Sequence, residues 1–237
     1  VSPNNRKAAQ GQISLGTLIA IAIVIGIFIA VIAMLTSNQR AAQLASVEPT
    51  PLPMQGDIDP SQIEPVAPET TGEMPPMTID TSKTYIATII TPRGDIVIKL
   101  RPDLAPQTVN SFVHLANSGF YNGLTWHRVI AGFMAQGGDP TGTGTGDAGY
   151  NIPAEFTDKV SFDRPGIVAM ARPSDDINGN SSQFFITTAP APHLDGQYTI
   201  FGEVIEGQDI ADGIPLRDPN TATTPGEQML QILIAEQ

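Results

Sequence analysis

The chain has no cysteine. That excludes disulfides, thiolate zinc sites, a cysteine nucleophile and a lipid anchor on an N-terminal cysteine. Histidine is almost as scarce. His114, His127 and His193 are the only three, and no two have a metal-ligand spacing such as His-Glu-x-x-His, so no metal is expected. Cations are few as well. Twelve Lys and Arg face twenty-four Asp and Glu, a formal net charge of -12, which speaks against a nucleic-acid partner because phosphate binding needs clustered Lys and Arg.

The positive charge that exists is unevenly placed. Arg6, Lys7 and Arg40 are the only charges in residues 1–40, whereas residues 41–82 carry seven acids and no base. Between them Ile13 to Leu35 is almost unbroken apolar sequence, interrupted only by Ser14, Gly16, Thr17 and Gly26. About 20 residues suffice to cross a bilayer core of roughly 30 Å, so this run predicts one membrane-spanning helix over 13–35. It exceeds the apolar region of a cleaved signal, about 7–15 residues, and no small-x-small site follows it. Arg6 and Lys7 ahead of the span favour a cytoplasmic segment 1–12, with the rest of the chain outside the cytoplasm of a single-pass cell-membrane protein. Residues 36–82 read as an acidic, Pro-rich linker. Eight prolines and no aromatic residue fall in 41–82, so it cannot bury enough apolar surface to offset chain entropy.

A folded domain is expected over 83–237. Tyr85–Ile90 and Ile96–Leu100 are β-branched runs joined by Thr91-Pro92-Arg93-Gly94-Asp95, which reads as a hairpin. Pro106 opens a helix whose Val109, Phe112, Val113 and Ala116 share one face, and Gly119 stops it. Short apolar runs then recur between turn signals: Leu124–Ile130, Phe133–Gln136, Gly166–Met170, Gln183–Thr187, Tyr198–Val204 and Met229–Ala235, with a second short helix over Gln208–Ile214. Many short strands and few helices indicate a mainly β sandwich or closed barrel.

Two stretches hold the chemistry. The first, Trp126-His127-Arg128-Val129-Ile130-Ala131-Gly132-Phe133-Met134-Ala135-Gln136-Gly137-Gly138-Asp139, combines one cation, bulky apolar residues and an amide. The second, Ser182-Gln183-Phe184-Phe185-Ile186, pairs an amide with aromatics. Together with His193-Leu194-Asp195-Gly196 and Phe201-Gly202, these resemble, in order, the motifs of the cyclophilin-type peptidyl-prolyl cis/trans isomerases, here in a membrane-anchored, bacterial-like form. The likeness covers about residues 83–237. It implies a closed eight-stranded antiparallel barrel with two capping helices and an active groove on its outer face.

The same resemblance implies the site. Arg128 falls at the catalytic arginine, and its permanently charged guanidinium offers several donors in one plane. Gln136 and Gln183 match the amides that hold the substrate backbone and support the arginine. Phe133, Met134, Phe185 and Leu194 match the proline pocket. His127, one residue from Arg128, is expected to face the opposite side and to be structural. Three positions depart from the family pattern. His193 stands where some members have a tryptophan tied to cyclosporin binding, which implies weak cyclosporin sensitivity. Tyr198 replaces a groove-edge histidine. Ala171-Arg172-Pro173 occupies the segment that contacts the residue before proline, and only Ala171 carries over in kind. The run Thr141–Gly146 lacks the Gly-Lys-Ser/Thr ending of a phosphate loop and is read as a groove-side loop. The implied protein is a monomeric isomerase domain that needs no cofactor and acts on proline-containing polypeptides at the extracytoplasmic membrane face. A non-catalytic chaperone or assembly module for proline segments is the alternative.

Overall fold

The computed structural model describes residues 72–237. The apolar run Ile13–Leu35 lies outside them, and among the described residues no helix is long and apolar enough to cross a membrane.

Eight strands form one sheet: β1 (Tyr85–Thr91), β2 (Gly94–Leu100), β3 (Arg128–Ile130), β4 (Met134–Gly137), β5 (Ile167–Met170), β6 (Phe184–Thr187), β7 (Ile200–Glu206) and β8 (Gln231–Glu236). Their spatial order is β3-β4-β6-β5-β7-β2-β1-β8. Every strand pair is antiparallel. The hairpin of β1 and β2 is tighter than the sequence suggests. Thr91 pairs directly with Gly94, leaving Pro92 and Arg93 as a two-residue turn, with Thr91 Oγ1 donating to the Gly94 carbonyl at 2.7 Å.

The sheet curls into a half-barrel, and the expected closed barrel is corrected on this point. No ladder joins β3 to β8, the two ends of the sheet. Single bridges stand there instead, Thr125 with Gln228 and Val129 with Arg217. They are reinforced by Trp126 N–H donating to the Glu227 carbonyl at 2.9 Å and Met229 N–H to the Leu124 carbonyl at 2.7 Å. The local sequence explains the irregularity. Pro219 and Pro225 lack the N–H that a ladder needs, β3 is only three residues long, and Gly226 passes so close to the Trp126 carbonyl that a Cβ there would collide with it.

Two helices pack against the sheet. Helix α1 (Pro106–Asn117) has Pro106 in its first turn and no capping side chain of its own. Its free N-terminal donors are met from elsewhere in the chain: the Glu155 carboxylate accepts the Gln107 and Thr108 N–H groups at 3.0 and 2.9 Å. Such partners are required where helix ends are buried. Helix α2 (Gln208–Asp212) is a single short turn. The main core gathers Phe112 of α1 with Tyr121, Trp126, Phe184 and Phe201. Upstream of β1, residues 75–79 are laid onto α1 through the buried Asn110. Its side-chain oxygen accepts Thr78 N–H at 2.8 Å, and its amide nitrogen donates to the Pro76 carbonyl at 3.0 Å.

Candidate active site

Strand pleating divides β3, β4, β6 and β5 into two faces. Val129, Ala135, Phe184, Ile186, Val168 and Met170 point into the main core. Their neighbours Met134, Phe185, Ala169 and Ile167 form a second apolar cluster on the outer face with Phe162, Leu194 and Ile200. The strand register then places Arg128 beside Gln136, Gln136 beside Phe185, and Phe185 beside Ala169. Three of the expected site residues therefore lie on one line across the sheet.

Side chains join that line. Arg128, half-buried, donates from Nη1 to Gln136 Oε1 at 3.2 Å. Gln136 Nε2 in turn donates to Gln183 Oε1 at 2.9 Å. Gln183 Nε2 then donates to the carbonyls of Gly144 and Gly146 at 3.0 and 2.8 Å. Each amide uses its oxygen toward the guanidinium end and its NH₂ toward the loop, so the chain has one polarity throughout. The double glycine at the end of β4 makes the approach possible. Gly138 has φ +83°, and a Cβ there would strike the Ser182 carbonyl, one residue before Gln183.

The glycine-rich run is a groove-side loop, as its composition suggested, and Asp139 organises it. Its buried carboxylate accepts Thr141 N–H at 2.7 Å and Thr141 Oγ1 at 2.8 Å, and also the Gly144 N–H. Burial pushes the Asp139 carboxyl up, but these hydrogen bonds outweigh it and hold the group below the usual carboxylate range. His127 is fully buried, and neither ring nitrogen has a hydrogen-bond partner. Burial pulls its imidazole below the ordinary value despite the nearby Asp139 carboxylate. The histidine is an interior group, as expected.

The apolar half of the site is assembled from distant segments. Met134 and Phe185 are buried and come from strands; Leu194 is buried and comes from a short 3₁₀ turn, Pro192–Leu194. Phe162 stacks on Phe185 with ring centroids 6.0 Å apart, and Tyr198 meets Phe185 edge-on at 5.7 Å. Phe133 is part-buried against this cluster, and the exposed His193 ring lies 5.6 Å from it. Ala171 continues β5, its N–H donating to the Gln183 carbonyl at 2.9 Å. With Gln136, Gln183, Asp147 and Asp176 it lines a cavity of about 390 Å³ at one flank of the groove.

The structure thus brings together all ten expected residues: Arg128, Phe133, Met134, Gln136, Ala171, Gln183, Phe185, His193, Leu194 and Tyr198. Sequence reasoning missed three contributors. Phe162 is a lone aromatic between loops and gives no periodic signal. The carbonyls of Gly144 and Gly146 hold Gln183 through backbone atoms, which residue identity cannot reveal. Arg172 sits over the Tyr198 ring at 4.9 Å and donates from Nε to the Gln197 carbonyl at 3.0 Å, so it braces the groove edge.

Nothing in this geometry supplies an activated nucleophile, and among the described residues no cluster of His, Cys, Asp or Glu could hold a metal. What it offers is an apolar cluster, with Phe133 and Tyr198 part-buried over it, beside a positioned cation. The chain is similar to known proteins in sequence and in structure. Residues 85–235 match the cyclophilin type peptidyl-prolyl cis-trans isomerase/CLD family. A peptidyl-prolyl cis-trans isomerase of Helicobacter pylori is 47% identical over 139 residues, covering 58% of this chain and 84% of its own. Peptidyl-prolyl cis-trans isomerase A of Mycobacterium tuberculosis is 49% identical over 140 residues, covering 53% and 76%. Among solved structures, a Cryptosporidium parvum cyclophilin type isomerase in the presence of the dipeptide Ala-Pro aligns with a TM-score of 0.58 and 35% identity, over 63% of this chain and 98% of that one. This chain belongs to the cyclophilin-type peptidyl-prolyl cis-trans isomerases.

Proposed function

We propose that the groove turns X-Pro bonds with Arg128 as the polarising donor, and that the domain does so tethered to a membrane, on polypeptides outside the cytoplasm. Amide resonance opposes rotation with a barrier of about 18–20 kcal/mol, and uncatalysed X-Pro exchange is slow enough to limit folding. No bond breaks, so catalysis needs only tighter binding of the twisted amide than of the planar one. Twisting localises the lone pair on the prolyl nitrogen. A guanidinium donor at that nitrogen stabilises the twisted state, while the cluster of Phe133, Met134, Phe185 and Leu194 holds the ring.

The observation that carries this reading is the hydrogen-bonded line from Arg128 through Gln136 to Gln183 beside the outer apolar cluster. It holds the cation in place before substrate arrives, as electrostatic stabilisation requires. Arg128→Ala should lower kcat/KM on an Ala-Pro peptide by roughly 10²–10³, the cost of losing one such donor, with an unchanged circular-dichroism spectrum. Near-normal turnover would sink the role given to Arg128.

The tether rests on the apolar run Ile13–Leu35 and on the bases Arg6 and Lys7 that precede it. Alkaline carbonate should leave the full chain in the membrane fraction. Release would return the run to the reading of a cleaved signal. Protease added to intact cells should cut within the linker, residues 41–82, and protection would reverse the orientation.

A further inference from the structure

The outer face continues past Arg128 in a direction the catalytic reading does not use. Val129 and Arg217 exchange both backbone hydrogen bonds, Val129 N–H to the Arg217 carbonyl at 2.8 Å and Arg217 N–H to the Val129 carbonyl at 3.0 Å. Residues 216–218 therefore run antiparallel to β3 at its outer edge. Continuing that register by one residue each way sets Asp218 across from Arg128 and Leu216 across from Ile130. Alternation puts these four on the face opposite Val129, which is the face of the groove. They line, with Pro219 and Asn220, a cleft of about 470 Å³ that shares Arg128 with the catalytic line.

This cleft has an apolar floor and a fixed wall. Ile130 is 37% and Leu216 67% exposed, so two large aliphatic side chains lie open next to the reacting position. The wall is pinned from behind. The Arg217 guanidinium donates to the His127 carbonyl and from Nε and Nη2 to the Thr224 carbonyl at 3.2 and 3.0 Å. The Asp218 carboxylate closes the turn by accepting Asn220 N–H at 2.9 Å and Asn220 Nδ2 at 3.1 Å. A paired pocket on the opposite flank, beside Ala171, lies on the side read for the residue before proline. The flank past Arg128 is then left for the residues that follow.

We infer that Ile130 and Leu216 form a docking shelf for the substrate polypeptide after its proline, and that they select an apolar side chain at the second residue after it. An extended chain advances about 3.3 Å per residue and alternates its side chains. The first residue after the proline turns away from the protein and the second returns to the groove face, about 7 Å on. Continuity with the catalytic line names the occupant, because a chain held at Arg128 must leave along one of these two flanks. The inference rests on the isomerase reading of the groove.

The test uses the full chain and two peptides capped at both ends, Ala-Ala-Pro-Ala-Leu and Ala-Ala-Pro-Ala-Gly, with exchange rates read by NMR. The wild type should favour the leucine peptide roughly fivefold in kcat/KM, through KM, less than the 10-fold or more of an enclosed apolar pocket. Leu216→Ser should bring the ratio near one, and Leu216→Met should keep it. The ratio is independent of the fraction of protein that folds. A preference that survives Leu216→Ser, or a wild type with none, overturns the shelf. So does an equal preference when the leucine is moved two residues ahead of the proline. If neither peptide is turned over, the isomerase reading has failed instead. The shelf is then judged by whether the leucine peptide, and not the glycine peptide, shifts the methyl resonances of Ile130 and Leu216.

Discussion

The two faces of the same four strands carry different tasks with nearly the same residue types. Inward, Phe184 meets Phe112 and Tyr121 edge-on, at centroid distances of 5.5 and 5.7 Å, and Trp126 at 5.8 Å. Phe184 is fully buried there. Outward, Phe185 has Phe162 on one side and Tyr198 at its edge, and beyond it the polar line begins. The inner face buries its aromatics against each other to hold the fold. The outer face stops one layer short, with Phe133 and Tyr198 only part-buried over its cluster. Position in the pleat, not hydrophobicity, separates core from site.

Adjacent phenylalanines can break that comparison. Phe184→Ala should destabilise the domain by about 3–5 kcal/mol, the cost of emptying an aromatic site in a packed core, read as a lower denaturant midpoint at unchanged slope. Phe185→Leu nearly conserves volume and should cost less than about 1.5 kcal/mol, yet lower kcat/KM roughly tenfold by misshaping the ring pocket, an error of about 1 Å being enough. If Phe185→Leu lost stability and kept activity, the outer cluster would be core and not pocket.

A smaller effect sharpens the polar half. Gln183→Ala removes the acceptor of Gln136 and the donor to Gly144 and Gly146 while leaving Arg128 charged and its partner Gln136 present. Turnover should fall by about tenfold, since the positioning shell is loosened and the donor itself is kept. A loss as large as that of Arg128→Ala would mean that Gln183 acts on substrate directly. No loss would make the line a bystander.

Much of this was legible because local pattern and local structure agree. The alternation in Phe133–Gln136 and Gln183–Thr187 carries the faces, and Pro106 with Gly119 brackets α1 within two residues. The open edge was not legible. Leu124–Ile130 reads as one strand, but only Arg128–Ile130 forms it, because Gly123 and the returning Pro225-Gly226 force an irregular crossing. Glu155 at the start of α1, Phe162 on Phe185 and Arg172 over Tyr198 were equally hidden. Each is a contact between segments with no shared period, fixed by tertiary packing. The motif residues, by contrast, sit on paired strands whose register brings them together.

The mildest test of the two-face picture is acid. His127 precedes Arg128 but belongs to the interior, and its imidazole is held below the ordinary value of 6.5 by burial. The unfolded chain therefore takes up this proton more readily than the folded one. The stability linked to His127 is complete above about pH 6.5 and is lost as pH falls below it, by at most about 1.4 kcal/mol per pH unit. Asp139, held below its ordinary 3.8, adds a second loss only in more acid solution, as pH falls through that range. The denaturant midpoint should stay level from pH 8 to 7 and decline from 6.5 toward 5, and His127→Gln should remove that upper limb while leaving the lower one. Because the His127 ring is fully buried, kcat of the protein that remains folded should stay level across the same interval. A midpoint that ignores pH between 7.5 and 5 would place His127 in contact with water. A kcat that falls in step with the midpoint would mean that the two faces of the sheet are not independent.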